Sequence, residues 1–228
     1  MARKRHELKY MVSQLDYLVL VRRLEKVLKR DRNSQGKSYS ITSLYFDDYD
    51  NQAYKEKING EAFRHKYRIR YYNNDFTYIK LEKKSKINQM TMKISEPLLI
   101  EEVEKIYEGD TEFLLDKEGD LYHEFYRKLN HGLLKPKVIV RYEREAFTHP
   151  LGDLRITFDK NVKTANCQTM IFDENMHFTS AIEANQVIVE VKFNGMLPDH
   201  IRSLIQTGHV MQASSSKYVY SRKYNSCF

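Results

Sequence analysis

Charged residues in this sequence fall on one side of strand after strand, and that regularity limits what the chain can fold into. Alternate residues of a β-strand face opposite sides of the sheet, so residues of one parity share a face. Over residues 5–12, Arg5, Glu7 and Lys9 alternate with Leu8, Tyr10 and Val12. Lys66, Arg68 and Arg70 oppose Tyr67, Ile69 and Tyr71, while Lys80 and Glu82 oppose Ile79 and Leu81. Arg141, Glu143 and Glu145 share a face with Ile139, against Val138, Val140 and Tyr142. Arg155 and Asp159 oppose Leu154, Ile156 and Phe158, and Glu190 and Lys192 oppose Val189, Val191 and Phe193.

Two architectures accommodate this pattern. An antiparallel sheet with one face packed on helices and the other wet would show it. So would a sheet closed on itself, with the charges lining a lumen and helices covering the outside. Three details favour the lumen. The charged positions are mostly Arg or Lys/Glu pairs, with few of the Thr, Ser and Gln that share a solvated face. Nearly every strand contributes. Arg-x-Arg at 68 and 70 sets two guanidinium forks side by side, suited to bidentate phosphate contacts. Cations converging inside a low-dielectric wall focus their field on an anion.

The rest of the chain reads as α+β. Ser13 with Asp16 resembles a capped helix start, and apolar spacing continues to about residue 30. Residues 39–46 read as a strand, followed by a short helix ending near Gly60. Residues 63–72 and 76–85 form a hairpin around Asn73-Asn74-Asp75. A helix is expected to open at Ser95-Glu-Pro97 and stop before Gly109, with another running to Gly132. Residues 137–147 and 153–158 form a second hairpin, and 186–193 a strand. Helices follow from Pro198, ended by Gly208, and from Ser214 to Tyr224.

Composition narrows the function. With 228 residues the chain suits one domain, taken here as 1–228. Lys plus Arg outnumber Asp plus Glu by 38 to 31, which favours anionic partners. Cys167 and Cys227 make neither a disulfide framework nor a zinc site and read as cytoplasmic thiols. The basic N-terminus has no apolar stretch behind it, and Leu18–Val21 is far too short to span a bilayer, so a soluble protein is expected. The histidines lack zinc spacing, and no P-loop or dinucleotide fingerprint is present. Ser214–Ser216 reads as a helix cap. The 17 tyrosines raise a reading from a different class, a barrel that stacks single-stranded nucleic acid. Tyr67, Tyr71 and Tyr142 fall on the outward parity, which favours packing, and no DNA partner is expected.

Eight segments in order resemble the polyphosphate polymerase domain of the vacuolar transporter chaperone (VTC) family, within the triphosphate tunnel superfamily. They are Arg5–Tyr10, Ser43–Asp47, Lys66–Tyr71, Lys80–Lys84, Val140–Arg144, Leu154–Asp159, Val189–Lys192 and Ser215–Tyr218. The resemblance implies an eight-stranded antiparallel barrel with helices outside and a short C-terminal helix. It implies that Lys9, Arg68, Arg70, Lys80, Arg141, Arg155, Lys192 and Lys217 contact phosphates, with Ser216 a hydroxyl beside the chain. Glu190 would hold Mn²⁺ or Mg²⁺, with Glu7 and Glu82 as further carboxylates of mixed character. Many tunnel enzymes begin Glu-x-Glu-x-Lys; here Arg5 stands at the first acidic position, which favours the polymerase-like branch. The regulatory and membrane modules of the eukaryotic complex are not in this sequence, so membrane-coupled translocation is not implied.

Phosphoryl transfer needs positioning and charge neutralisation more than covalent help, so no catalytic nucleophile is expected. The implied partners are ATP and inorganic polyphosphate or tripolyphosphate. The acceptor is left open between a phosphate chain end and water, and a non-catalytic polyphosphate sensor remains an alternative.

Overall fold

A computed structural model describes residues 6–34, 38–88, 90–206, 211–212 and 214–224. Arg5, Gly208 and Cys227 lie outside these residues. Eight long strands form the frame: β1 (His6–Ser13), β3 (Tyr39–Asp47), β4 (Phe63–Tyr72), β5 (Asp75–Ile87), β6 (Met90–Leu98), β7 (Lys135–His149), β8 (Leu154–Ala165) and β10 (Gln186–Phe193). Three two-residue strands join them: β2 (Lys29–Arg30), β9 (Thr179–Ser180) and β11 (Met211–Gln212). The helices are α1 (Gln14–Leu24), α2 (Gln52–Ile58), α3 (Ile100–Glu108), α4 (Asp120–Asn130), α5 (Asp199–Ile205) and α6 (Lys217–Tyr224). Among the described residues no helix is long and apolar enough to cross a membrane.

The strands make one antiparallel sheet in the order β11-β1-β10-β8-β7-β3-β4-β5-β6, with β2 on β7 and β9 on β8. The sheet curls until β1 lies beside β6, but no hydrogen-bonded ladder joins the two edges among the described residues. The expected barrel is therefore a curled tunnel closed by side chains. An ion pair from Lys84 on β5 to Glu7 on β1, at 3.0 Å, bridges the seam.

Local sequence explains most elements. Ser13 accepts the Asp16 backbone N–H at 3.1 Å and starts α1. Asn73 and Asn74 take φ of 50° and 55°, the left-handed pair that a tight two-residue hairpin requires. The helix expected from Ser95 is instead strand β6, and α3 starts at Ile100, where the Glu102 carboxylate accepts the Leu99 N–H at 2.9 Å. Pro97 is tolerated because β6 ladders with β5 alone and needs no second donor row. Apolar spacing past Leu24 does not extend α1; the chain turns, and Lys29–Arg30 pairs with Phe147 and Thr148 of β7.

Two cores cover the outside of the sheet. Tyr67, Ile69, Tyr71, Ile79 and Leu81 pack against Val103 and Ile106 of α3 and Leu121 and Phe125 of α4. Phe147, Ile156, Phe158, Val189 and Val191 pack against α1 and α5. A third cluster lies on the inner face, where Ile41, Val140, Tyr142, Val162 and Ile188 meet Tyr218 of α6. One side of the tunnel interior is thus apolar, and charge is confined to the remainder.

Candidate functional site: a cationic cavity inside the curled sheet

The inner faces of β1, β3, β4, β5, β7 and β10 enclose a cavity of about 530 Å³, bordered also by α2, β6, the segment before α6, and α6 itself. Its described lining holds eleven Lys and Arg side chains against two carboxylates, Glu7 and Glu190. Alternation on β4 presents Arg64, Lys66, Arg68 and Arg70 in a row, and β5 adds Lys84 and Lys86. Such an imbalance in a partly enclosed space favours an anion.

At the floor the cations are fixed by partners. Glu82 has no exposed surface. It takes Arg68 through Nε at 2.7 Å and Nη2 at 2.6 Å, with Lys93 at 3.0 Å and Arg70 at 3.7 Å. Burial pushes this carboxyl up, but the two guanidinium groups and Lys93 outweigh it and hold Glu82 far below the usual range. Arg70 also donates to Ser43 Oγ at 2.9 Å and to the Tyr142 hydroxyl at 3.2 Å. Arg68 donates to the Tyr45 hydroxyl at 3.1 Å.

A second knot joins β1, β7, β8, β10 and α6. Asp159 receives Arg144 through Nε and Nη2 at 2.6 and 2.8 Å and pairs with Lys217 of α6. Burial raises Asp159, yet Arg144 and Lys217 bring it down to about 2. Glu190 faces Lys192 at 3.0 Å, Lys9 at 3.5 Å and Arg144 at 3.8 Å. Desolvation raises it, and Lys192, Lys9 and Lys84 more than reverse that. Glu7 lies beside Glu190 and sits 3.0 Å from both Lys9 and Lys84.

The rim differs. Lys66 has no carboxylate within ion-pair distance among the described residues; it reaches Ser216 Oγ at 3.4 Å and lies 4.6 Å over the Tyr218 ring. Burial, Lys9, Lys57 and Lys84 all press its ammonium well below the ordinary lysine value. Lys57 donates to Ser214 Oγ, and burial with Arg64, Lys9 and Lys86 brings it down to about 8. Lys192 also falls to about 8, because burial outweighs its attraction to Glu190 and Glu7.

Of the residues expected at the site, Lys9, Arg68, Arg70, Lys192, Ser216, Lys217, Glu7 and Glu190 line the cavity. Glu82 has no exposed surface and does not line the cavity, so it does not fit a metal bound there. Arg141 is a correction. It points outward, donating to Thr42 Oγ1 at 3.1 Å and stacking 4.2 Å from Phe178. The inward parity of β7 belongs to Val138, Val140, Tyr142 and Arg144, as their pairing with inward residues of β3 requires. Glu143 and Glu145 therefore also face out, and Glu145 is bound there by Tyr17 at 2.6 Å and by Arg30. Lys80 and Arg155 have the inward parity but sit one layer beyond the cavity. Lys80 lies 4.4 Å over Tyr78, and Arg155 contacts Tyr39 at 3.0 Å and Asp31 at 3.1 Å.

Site residues not foreseen include Arg144, Tyr45, Lys57, Lys66 and Lys84. Lys66 and Lys84 were legible by parity, as neighbours of Arg68 and Glu82. Arg144 was hidden by three charges of the opposite parity. Lys57 comes from a helix, where strand parity says nothing.

Among the described residues no group of three or more His, Cys, Asp or Glu could hold a metal alone. Glu190 and Glu7 supply carboxylate oxygens at one spot, which suits Mg²⁺ or Mn²⁺ when phosphate oxygens complete the shell.

Solved structures with the same fold are distant in sequence. A Hippeastrum protein described as a candidate adenylyl cyclase with a dominant triphosphatase activity matches with TM-score 0.56 and 13% identity, covering 97% of this chain and 96% of that one. A candidate adenylate cyclase from Bacillus halodurans gives 0.52 and 14%, covering 90% and 87%. One from Vibrio parahaemolyticus gives 0.52 and 8%, covering 96% and 98%. No curated protein matches the sequence. The family model of the VTC domain matches residues 4–225, nearly the whole sequence, and the chain belongs to that family.

Proposed function

We propose that this domain binds the phosphates of ATP or polyphosphate in the cationic cavity and transfers a phosphoryl group, as a polyphosphate polymerase does. The observation that carries this reading is the excess of positive charge: eleven cations line about 530 Å³, and four of them, Lys57, Arg64, Lys66 and Lys86, make no ion pair with a carboxylate among the described residues. A chain of phosphates, with a negative charge at each unit, offsets that repulsion along its length.

The roles follow from geometry. Arg68 and Arg70 are held in place by Glu82, Ser43 and Tyr142, so their remaining N–H groups are oriented before substrate arrives. Arg144 and Lys217 are fixed likewise by Asp159. Lys9, Lys192 and Ser216 complete the wall around the phosphates. Glu190, with Glu7 beside it, would hold Mg²⁺ or Mn²⁺, which when bound would neutralise charge developing on the phosphates. The acceptor in this reading is a phosphate chain end.

A second reading is hydrolysis, with water as acceptor, supported by the triphosphatase activity described for the Hippeastrum protein of the same fold. Purified protein incubated with ATP and Mn²⁺ separates the two. Polymer is expected; free phosphate alone would establish the hydrolase, and neither product would remove the catalytic reading.

A further inference from the structure

We infer that α1 and α3 are the two halves of a head-to-tail contact, α1 of one copy lying along α3 of the next. One side of α1 is spent on the core, where Tyr17, Leu20 and Leu24 are buried. The opposite side is apolar too: Leu15 is 72% exposed, Leu18 48% and Val19 36%. A helix that is apolar all round is one that is covered all round. Arg22, Arg23 and Lys26 continue this outer side, exposed and without an ion pair among the described residues. Glu25, the one carboxylate of that stretch, is taken by Arg30.

The complementary pattern lies on α3. Residues 100–124 hold ten Asp and Glu against two Lys, in a chain whose net charge is +7. The acids are therefore gathered on one flank instead of being spread among the cations. Leu99, 64% exposed, precedes α3, and Glu101, Glu104 and Glu108 are exposed along it at helical spacing. None of these three is ion-paired among the described residues, because Lys117 is taken by Glu102 and Lys105 by Asp110 at 4.0 Å.

Both helices run from an apolar end to a charged one. Their eleven and nine residues give similar lengths, about 16 and 13 Å at 1.5 Å per residue. Laid side by side and parallel, Leu15 and Leu18 meet Leu99, and the three cations meet the three glutamates. Within one molecule the faces stay apart: α1 packs over the core of β8 and β10, α3 over that of β4 and β5, and no ion pair joins them among the described residues.

The occupant follows from the need to satisfy both faces. A phosphate chain or an anionic bilayer suits the cations of α1 but is repelled by α3. A second copy of this chain offers each face its complement. Because the two faces differ, the contact repeats from copy to copy, giving a ring or an open chain instead of a two-fold dimer.

Analytical ultracentrifugation at about 0.1 M and about 1 M salt, where charges are screened beyond about 10 Å and about 3 Å, tests this. Oligomers are expected at the lower salt and monomer at the higher. Arg22→Gln/Arg23→Gln/Lys26→Gln and, separately, Glu101→Gln/Glu104→Gln/Glu108→Gln should each weaken association about tenfold, through three lost surface ion pairs. Mixed in equal amounts, the two variants should form a one-to-one pair that grows no further, because each keeps one native face. All six residues are exposed, so both variants should fold; the salt series on the unaltered chain tests the contact without them. A monomer at both salt concentrations would overturn the inference, and its sedimentation with phosphatidylserine vesicles would assign α1 to a bilayer. Oligomers that persist at the higher salt or in both variants would place the contact elsewhere. Variants that stay monomeric when mixed would show that α1 and α3 are not partners.

Discussion

Arg68 and Arg70 at the floor of the cavity and Lys57 and Lys66 at its rim carry the same charge under opposite conditions. The floor arginines share a fully buried glutamate and donate to three hydroxyls, those of Tyr45, Ser43 and Tyr142, so their charge is compensated inside the protein. Among the described residues the rim lysines face one another with only serine hydroxyls and a tyrosine ring as partners. The difference separates two tasks. Fixed arginines give geometry at the expense of leaving Glu82 dependent on them. Repelling lysines give attraction, which is realised only when a polyanion arrives.

The largest effect should come from breaking the floor. Arg68→Ala removes the bidentate partner of Glu82, and loss of one member of a buried ion pair costs about 3–5 kcal/mol. Urea unfolding should show that loss, and Glu82→Gln in the same chain should recover part of it. The double variant Arg68→Ala/Arg70→Ala should also weaken tripolyphosphate binding by about 1.5–3 kcal/mol per lost charged hydrogen bond. Unchanged binding in a folded double variant would remove these residues from the site.

Next in size is Glu190→Gln, which tests the metal seat. Metal-dependent ATP turnover should fall by roughly 100-fold or more, equivalent to about 2.7 kcal/mol. Tripolyphosphate binding without metal should persist or strengthen, since a repelling anion has gone. Full turnover with Mn²⁺ would mean that Glu190 only balances Lys192 and Lys9.

Lys66→Ala should separate rim from floor by sign. Binding should weaken by about 1.5–3 kcal/mol, while stability in urea holds or rises, because mutual repulsion is relieved. A stability loss like that of Arg68→Ala would erase the distinction.

The smallest effect is protonic. With Lys57 and Lys192 near 8 in the folded protein and higher when unfolded, the unfolded chain binds more protons above pH 8. Ligand-free stability should therefore rise as pH increases from about 8 towards the ordinary lysine value near 10.4. A bound polyanion restores both charges, so tripolyphosphate should take up protons on binding at pH 8 and above. Calorimetry in two buffers of different ionisation enthalpy reads that uptake, and zero uptake would mean that Lys57 and Lys192 already carry their full charge without ligand.

Much of this was legible in the residues. The parity of β1, β4, β5 and β10 placed Glu7, Lys9, Arg68, Arg70, Glu190 and Lys192 on a common face, because a strand period of two leaves no freedom once one side must be apolar. The same rule failed on β7. Counting charges put Arg141, Glu143 and Glu145 inside, but the outer face there has its own partners for them: Thr42 accepts from Arg141, Tyr17 donates to Glu145, and Arg30 and Lys160 pair with Glu145. The inner face could be apolar at Val138 and Val140 because Tyr218 of α6 fills that side. Charge therefore marks a face only when nothing else covers the other one.

The sequence by itself determined which residues alternate, which asparagines turn the β4–β5 hairpin, and that cations exceed carboxylates. Those follow from local geometry and composition, which a strand carries without its neighbours. Only the tertiary structure decided which cations share one cavity. The stagger of the curled sheet brings Lys84 against Glu7 while leaving Lys80 and Arg155, of the same parity, one layer too far. Only packing decided that Arg144 rather than Arg141 turns inward and that Lys57 arrives from a helix. These placements depend on register between strands distant in sequence, and register is fixed by the sum of contacts across the sheet rather than by any one strand.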